Sequence, residues 1–311
     1  MRAADGALSP TERRHPGTED IDAVPTLEVL TRLNTEDRVA VDAVRAVLPA
    51  LAEVVDEAAA RFRRGGAVHY FGAGTSGRLG VLDASELLPT YNLEPDRVVG
   101  HIAGGRDALV RAVEDAEDST AEGARDAAGL GPDDVAIGLA ASGTTPYVGG
   151  ALATARAGGA FTVLVSSNPA TPLAAGVDVN ITLDTGPEVV TGSTRLKAGT
   201  AQKLVLNSFS TALMIAVGRT YGNLMVSVVA TNAKLRERTV RILREATDLA
   251  EDDARILLER SDGDLKAAVV AALADVEPAR AHELLAATAG SVRAALAAAR
   301  EPIRDAGATG A

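Results

Sequence analysis

The 311-residue sequence contains no cysteine and no tryptophan, and aromatic residues make up only 3% of it. Without cysteine the chain has no disulfide, no thiol nucleophile and no cysteine-ligated metal. The four histidines are scattered without the spacing of a metal site, so we expect no bound metal. Because large aromatic side chains are scarce, the core must be built mainly from Ala, Val and Leu.

Positive charge is also in short supply, since 31 Lys and Arg face 42 Asp and Glu and give a net charge of −11. Such a chain lacks the basic surface of nucleic-acid-binding proteins and of proteins that bind anionic membranes. No apolar run approaches the roughly 20 residues that cross a bilayer, and the polar N-terminus lacks the apolar core of a secretory signal. We therefore expect a cytoplasmic protein that binds neither nucleic acid nor membrane.

A glycine-rich loop at residues 72–77 organises the middle of the chain. A strand-like apolar run precedes it and a stretch with helical spacing follows it. This order presents backbone N–H groups and a positive helix end to an anion, and Thr75 and Ser76 add hydroxyl donors. The loop also fits a dinucleotide fingerprint, but the next strand ends in Ala103-Gly104-Gly105 without the acidic residue that binds a ribose. A tight turn without a ligand is the remaining alternative.

Strand and helix patterns alternate through most of the chain, which predicts the α/β class, with a parallel sheet covered by helices on both faces. We predict the strands at 67–71, 98–102, 135–140, 161–166 and 179–183. Ligands of such sheets bind beyond the carboxyl ends of the strands. The loops after the first four strands should therefore face one common site.

The predicted domain organisation has four parts. They are an N-terminal arm at 1–25 that is disordered unless a partner orders it, a catalytic domain at 26–247, a small all-helical domain at 248–300 and a frayed tail at 301–311. In the catalytic domain, two helices are expected between Thr26 and Arg64, ending at Gly65-Gly66, and a long helix from Thr200. Lys197 and Lys203 are expected on solvated faces, with contact to a bound anion as the alternative.

Hydroxyl groups recur in three of the loops that follow strands. Beside Thr75 and Ser76, the third loop offers Ser142, Thr144 and Thr145, and the fourth offers Ser166, Ser167 and Asn168. Three such loops in register indicate a site for one phosphate and an attached polyhydroxylated body. The alternative is that these side chains only cap the helices that follow.

Carboxylates are the remaining candidates for acid–base chemistry. Glu86 lies about ten residues into the helix after the glycine-rich loop, roughly 15 Å along its axis. It reaches the loop only if that helix breaks or if a partner subunit brings a second surface to it; on spacing alone it is a solvent-facing helix glutamate. Glu114 and Glu117 are expected on one face of a helix, in an acidic run typical of a solvated helix end.

Several blocks resemble one known family, the N-acetylmuramic acid 6-phosphate etherases. They are FGAGTSGRLGVLDASELLPTY, VVGHIAGG, AVEDAEDS, AASGTTPYVGGAL and EVVTGSTRLKAGTAQKLVLN through GNLMVSVVATNAKL. The match runs from about Thr11 to Ala299, in the same order and spacing. Those proteins are lyases built on the sugar isomerase (SIS) fold, and residues 248–300 look like their small ubiquitin-associated-like (UBA-like) helical domain.

The resemblance implies a substrate and roles for particular residues. The substrate is a 6-phosphorylated amino sugar, whose D-lactyl ether is removed by elimination from the open-chain aldehyde and then hydration, in recycling of cell-wall fragments. It implies Glu86 as proton donor and Glu117 as the second catalytic carboxylate, acting as base. Phosphate and sugar would be held by Thr75, Ser76, Ser142, Thr144 and Thr145. No metal or organic cofactor is implied, and a homodimer would complete the site across its interface.

The chain departs from the family pattern at Thr144, where many members have Arg, and at His15, where many have Asn. Three alternatives share the fold. A phosphosugar isomerase would use Glu188 or a histidine as base, and a sugar-phosphate sensor would bind without turnover. A DNA-binding regulator would carry a basic helix-turn-helix, which the sequence lacks.

Overall fold

The computed structural model describes residues 8–230 and 232–300. By its internal contacts the chain divides into two compact units. The first holds the chain up to Glu86 together with Glu94–Leu213, and the second holds Leu87–Leu93 and the chain from Met214 onward. The tail predicted at 301–311 and the first seven residues of the arm lie outside the described residues.

Five strands form the central sheet of the first unit. They are β1 (Val68–Gly72), β2 (Val98–Ile102), β3 (Val135–Leu139), β4 (Phe161–Ser166) and β5 (Val179–Thr182). The order is β2-β1-β3-β4-β5, and every neighbouring pair is parallel. The predicted strands match these to within one residue at each end, which confirms the α/β class.

Burial along the strands explains why the sequence signal was clear. All residues of β3 are buried, whereas the edge strand β2 is half-buried through its middle. A parallel sheet covered on both faces has such continuous apolar strands at its centre. Adjacent Tyr70 and Phe71 in β1 are both fully buried and, because side chains alternate along a strand, they pack against opposite layers.

The helices of this unit lie on both faces of the sheet. They are α1 (Thr26–Arg63), α2 (Gly74–Tyr91), α3 (Thr120–Asp126), α4 (Pro146–Ala157) and α5 (Lys197–Ala216). The Tyr70 ring meets Phe209 of α5 edge-on, with 6.3 Å between ring centroids. Phe71 packs in a cluster with Tyr147 and Leu152 of α4. Helix layers on both faces are therefore confirmed.

The helix α1 is one continuous helix of 38 residues where the sequence predicted two. It contains Pro49, a residue that usually kinks or ends a helix because it lacks an N–H donor. Buried residues on both sides of Pro49 hold the two halves to one packing face, and tertiary packing overrides the local signal. The predicted stop is confirmed: Gly65 has φ of +102°, and a Cβ on Gly66 would collide with the carbonyl oxygen of Asp133.

Residues 8–25 pack against the first unit, so the expected disorder of the arm is wrong for them. Thr11 is 0% exposed, and its carbonyl accepts the Gly192 N–H at 3.2 Å. The Thr18 hydroxyl donates to the carbonyl oxygen of Val189 at 2.9 Å. The arm has no core of its own, but these bonds attach it to the loop that precedes α5.

The second unit is all-helical over its described part beyond residue 232. Its helices are α6 (Ala233–Thr247), α7 (Glu251–Arg260), α8 (Leu265–Ala274), α9 (Pro278–Ala287) and α10 (Val292–Arg300). Leu243, Ala268 and Val292 are fully buried in its apolar core. The short helices and their breaks are as predicted, while the likeness to UBA domains stays a prediction. No helix of the described residues is long and apolar enough to cross a membrane.

Candidate active site

The loops after β1 and β3 lie side by side at the carboxyl edge of the sheet. The sheet order places β1 between β2 and β3, and Gly72 at the end of β1 is paired with Leu139 at the end of β3. In this strand order the chain leaves β1 and β3 in opposite directions, which opens a crevice between their loops. The hydroxyl residues of the first and third loops are thus brought to one edge, as predicted.

Close backbone packing shapes the first loop. A Cβ on Gly72 would lie 2.6 Å from the Gly77 nitrogen, and a Cβ on Gly77 would lie 2.6 Å from the Gly72 carbonyl oxygen. Gly74 has φ of +52°, a conformation that side-chain-bearing residues rarely adopt. Because α2 starts at Gly74, its first N–H groups have no partner within the helix. The positive end of α2 therefore lies at the carboxyl edge of the sheet, as an anion site requires.

The Ser76 hydroxyl is held by a residue that the sequence analysis did not single out. Ser76 is 8% exposed, and its hydroxyl donates to the side-chain oxygen of Gln202 on α5 at 2.8 Å. The Gln202 amide nitrogen is buried and has no partner among the described residues. Thr75 is half-buried, with its methyl group 3.5 Å from where a Cβ on Gly199 would lie. The start of α5 thus forms part of the wall around the first loop.

The hydroxyl groups of the third loop do not cap the helix that follows it. Thr144 donates to the Ser142 hydroxyl oxygen from both its backbone N–H, at 3.2 Å, and its own hydroxyl, at 3.0 Å. Ser142 keeps its own proton to donate. Thr145 stands at the N-cap of α4, but its side chain makes no capping bond. Helix capping therefore does not account for Thr145.

The fourth loop supports the third through Asn168 and Thr171, while the hydroxyl of Ser167 is buried and has no partner among the described residues. The Asn168 amide donates to the carbonyl oxygen of Ser142 at 2.9 Å, and the Thr171 hydroxyl bonds to the carbonyl of Gly143. Thr171, which the sequence analysis did not name, also accepts the Leu173 N–H as a helix cap. Asn168 and Thr171 thus fix the geometry of the loop that carries Ser142.

A cavity of about 220 Å³ opens on the other side of the first loop, between the carboxyl ends of β1 and β2. Its wall includes Gly74 from the first loop, Arg78 from α2, and Arg111, Glu114 and Glu117 from the segment after β2. Glu117, one of the two predicted catalytic carboxylates, is therefore part of a concave site next to the start of α2.

The segment that carries Glu117 is not the helix that the sequence predicted. Glu114 lies in a turn, Asp115 has φ of +58°, and Glu117 lies in a short 3₁₀ helix, Ala116–Asp118. The expectation that Glu114 and Glu117 share a helix face is therefore wrong. The acidic run has no apolar stripe to pack on the sheet, so local turns replace the helix.

Glu86 does not line this cavity. It is exposed on α2, which runs unbroken from Gly74 to Tyr91. At about 1.5 Å per residue, Glu86 lies about 18 Å along the axis from Gly74. A break in the helix is thereby excluded as the way to bring Glu86 to the glycine-rich loop.

The buried carboxylate on α2 is Asp83, three residues before Glu86. It accepts hydrogen bonds from Tyr70 at 3.0 Å, Asn207 at 2.9 Å and Ser210 at 3.0 Å. Burial raises the pKa of Asp83, although these bonds favour its charged form. Asp83 thus joins α2 to β1 and α5 and fixes the rotation of α2, which turns Glu86 outward.

An isomerase would use Glu188 or a histidine as its base. In this structure Glu188 and two of the histidines instead make contacts that stabilise the fold. Glu188 is 0% exposed and accepts the backbone N–H groups of Lys197 and Ala198, each at 3.0 Å, so it caps α5. Burial raises the pKa of Glu188, and these two N–H groups oppose the rise. His69 and His101 share a 3.0 Å hydrogen bond on one face of the sheet.

Lys197 is buried, so its predicted solvated position is wrong. It is 2% exposed, and its ammonium lies 2.6 Å from a carboxylate oxygen of Glu36, which His15 also contacts at 3.2 Å. The pairing with Glu36 offsets the cost of burying the charge. Lys203 is exposed, as predicted. In residues 8–230 and 232–300, no three His, Asp or Glu side chains form a metal-binding group.

Comparison with known proteins identifies the family. The family model of the glucokinase regulatory protein N-terminal SIS domain matches residues 50–156. An N-acetylmuramic acid 6-phosphate etherase of Thermobifida fusca (strain YX) is 56% identical over 265 residues, covering 85% of this chain and 87% of that protein. This chain belongs to the N-acetylmuramic acid 6-phosphate etherase family. The etherase of Klebsiella aerogenes is 52% identical over 288 residues, covering 92% of this chain and 96% of its own.

The resemblance drawn from the sequence blocks is thus confirmed, and with it the SIS-type sheet of the etherases. Among solved structures, a phosphoheptose isomerase from Francisella tularensis is similar at 17% identity, with a TM-score of 0.47, over 61% of this chain and 98% of its own. A likeness this distant adds nothing to the assignment to the etherase family.

Three residues of this etherase-family site were missed by sequence reasoning, namely Arg78, Arg111 and Gln202. Arg78 directly follows the glycine-rich loop, at the position where the first turn of α2 meets the cavity. This position next to the loop could have identified Arg78 as a site residue from the sequence alone. Arg111 and Gln202 carried none, because only the fold brings them to the loop.

Proposed function

We propose that this protein cleaves the D-lactyl ether of N-acetylmuramic acid 6-phosphate, giving N-acetylglucosamine 6-phosphate and D-lactate. The observation that carries the proposal is the position of Glu117, in the wall of a cavity beside the start of α2, in a chain 56% identical to a curated etherase. The protein is thus a carbon–oxygen lyase of amino-sugar and cell-wall recycling.

The phosphate is held in the crevice between the loops after β1 and β3. The first N–H groups of α2 and the positive helix end favour an anion there. The hydroxyls of Thr75, Ser142 and Thr145 supply further donors, while Thr144 orients the Ser142 hydroxyl and Gln202 positions Ser76. This donor set needs no cation at Thr144, which accounts for tolerance of the Thr at that position.

The reaction is an elimination followed by a hydration. Glu117 removes the proton from C2 of the open-chain aldehyde, the C3–O bond breaks, and Glu86 protonates the departing ether oxygen to release D-lactate. Water then adds across the new double bond, with its hydroxyl on C3 and a proton on C2. Glu117 acts at C2 and Glu86 acts on the oxygen attached to C3. Both carboxylates must therefore reach the same bound substrate molecule.

A homodimer brings the two carboxylates together. Within one chain, Glu117 and Gly74 line the same cavity, whereas Glu86 lies farther along α2. At about 1.5 Å per residue, Glu86 is about 18 Å from Gly74 along the helix axis. A second subunit would present its own Glu86 to that cavity. An apolar groove of about 230 Å³ on α1 and α5, with Leu48 and Ala212 in its wall, supports an interface between copies. The cytoplasmic location remains a prediction from the sequence.

The test is D-lactate release from N-acetylmuramic acid 6-phosphate in water labelled with heavy oxygen. We expect unlabelled lactate and a labelled amino-sugar product, because the incoming oxygen is added to C3 after lactate has left. Glu86→Gln and Glu117→Gln should lose activity by about 100-fold or more, the usual contribution of an acid or base. Asp118→Asn is the matched control, since Asp118 lies in the same 3₁₀ helix but outside the cavity wall.

The same experiment separates the alternatives. Tight binding of the substrate without lactate release would reject the etherase and favour the phosphosugar sensor. Label in the lactate would reject elimination and indicate attack of water on the lactyl carbon. Full activity of Glu117→Gln would remove Glu117 from the mechanism.

A further inference from the structure

The cavity beside Glu117 is a different space from the crevice with the hydroxyl loops. The crevice lies between the ends of β1 and β3, whereas the cavity lies between the ends of β1 and β2, and the two share the first loop through Gly74. The cavity contains no Ser or Thr in its wall. Its polar chemistry comes from two guanidinium groups and three carboxylates, those of Arg78, Arg111, Glu114, Asp115 and Glu117.

Arg78 is fixed by the segment that it faces. Its Nε donates to the carbonyl oxygen of Leu109 at 3.1 Å, and its Nη2 donates to the carbonyl oxygen of Arg111 at 3.1 Å. These bonds use only part of the donor set of a guanidinium. They also tie the backbone that carries Arg111 to α2, so that Arg111 is presented to the cavity from a supported position.

Arg111 lines the cavity wall, and its positive charge has no partner among the described residues. Among the described residues its guanidinium forms no hydrogen bond or ion pair, although Glu114 and Glu117 line the same cavity. An arginine with an unused planar donor set is suited to bind a carboxylate through two parallel hydrogen bonds. The site is open to an incoming anion of that shape.

The proposed substrate carries two anions, and the phosphate is assigned to the crevice. Its second anion is the carboxylate of the D-lactyl group, and it needs a cationic partner in a protein of net charge −11. We infer that the cavity is the subsite for the lactyl carboxylate, with Arg111 as its cationic partner and Arg78 positioning Arg111. This inference rests on the proposed function.

The geometry of the substrate agrees with this placement. The lactyl carboxylate is joined to C3 of the sugar by a short chain of covalent bonds, so a carboxylate in the cavity brings C2 and C3 to the wall where Glu117 lies. The acidic residues of the wall repel any anion that has no partner there. Arg111 therefore decides whether a substrate with a carboxylate enters, and removing it leaves a wall that rejects the natural substrate.

The test compares two substrates on Arg111→Gln and wild type. One is N-acetylmuramic acid 6-phosphate, and the other is its lactamide analogue, in which a neutral amide replaces the carboxylate. We expect Arg111→Gln to lower kcat/KM for the acid by about 10- to 100-fold, the worth of a charge-assisted hydrogen bond, and to leave that for the amide unchanged. Arg111→Lys should recover part of the loss. Arg106→Gln, an exposed neighbour outside the cavity wall, is the control.

The ratio of the two kcat/KM values is measured on one preparation, so partial misfolding cannot produce the expected result. An equal loss for acid and amide would overturn the inference. So would an equal weakening of inhibition by N-acetylglucosamine 6-phosphate, which lacks the lactyl group, because it would place the phosphate in the cavity. Absence of lactate release by wild type would instead reject the proposed function, and the subsite with it.

Discussion

At the scale of single residues, two pairs of buried or half-buried ionisable groups differ in the charge that their surroundings favour. Lys197 and Glu36 form an ion pair at 2.6 Å. Burial alone would raise the pKa of Glu36, but this pairing outweighs the effect of burial and lowers the pKa. His69 and His101 share a hydrogen bond and stack at 5.3 Å between ring centroids, an arrangement that favours two neutral rings. The difference follows from the partner, since a carboxylate favours a cation and a second imidazole does not.

The histidine pair predicts a loss of stability in mild acid. Burial, and secondarily the neighbouring His101, lowers the pKa of His69 to about 4, and burial lowers that of His101 despite Asp126. In the unfolded chain both titrate near 6.5, so below that pH the unfolded state binds more protons. The free energy of unfolding should therefore fall by about 2 kcal/mol as the pH drops from about 6.5 to about 4.

Urea unfolding at several pH values measures this change. The double variant His69→Asn and His101→Gln keeps neutral hydrogen-bonding groups and should remove most of the dependence. His282→Gln, which changes a histidine in the second unit with a 43% exposed side chain, should leave it in place. A double variant with the same pH dependence as wild type would show that other groups cause it.

At the scale of elements, the start of α5 is built around one buried carboxylate. Both oxygens of Glu188 accept backbone N–H groups from the first turn, where a negative charge also meets the positive helix end. Gly199 in this turn lies beside Thr75, and Gln202 in the next turn accepts the Ser76 hydroxyl. The cap of α5 thus supports the loop that we assign to the phosphate.

Glu188→Gln should therefore cost stability rather than chemistry. A glutamine retains one acceptor oxygen and loses the charge, so we expect unfolding to become easier by about 1 to 2 kcal/mol. Lactate release per folded molecule should persist. Thermal unfolding and the lactate assay measure the two effects, with exposed Glu19→Gln as control. Lost turnover at unchanged stability would instead make Glu188 a base, as the isomerase alternative requires.

At the scale of the whole molecule, our proposal shares each active site between two chains. Glu86 and Glu117 are both exposed in the single chain, and only Glu117 lines the cavity. In a twofold dimer each site would take Glu117 from one subunit and Glu86 from the other, so the two sites are equivalent.

Such sharing predicts complementation between two inactive variants. Co-expressed Glu86→Gln and Glu117→Gln chains form mixed dimers in which one site holds both substitutions and the other holds neither. We expect lactate release to return to about a quarter of the wild-type rate, since about half of the dimers are mixed and each has one intact site. Two differently tagged Glu86→Gln chains are the control and should stay inactive. No recovery in purified mixed dimers would place both carboxylates in one subunit.

The sequence by itself determined the α/β class, the five strands, the hydroxyl-bearing loops and the family. These follow from local signals, since buried parallel strands are continuously apolar and glycine-rich turns are marked by their residues. The continuity of α1 through Pro49 was decided by tertiary packing, which overrides local preference. The ordered arm and buried Lys197 depend on partners distant in the chain.

The candidate site shows the same division. Thr75, Ser142 and Thr145 could be placed from the sequence, because parallel strands bring their loops to one edge of the sheet. Arg111 and Gln202 could not, because their contacts with the first loop arise only when α5 and the segment after β2 fold against it. Sequence resemblance implied a role for Glu86, but the unbroken α2 separates it from the cavity that Glu117 lines, which is why we propose a second chain.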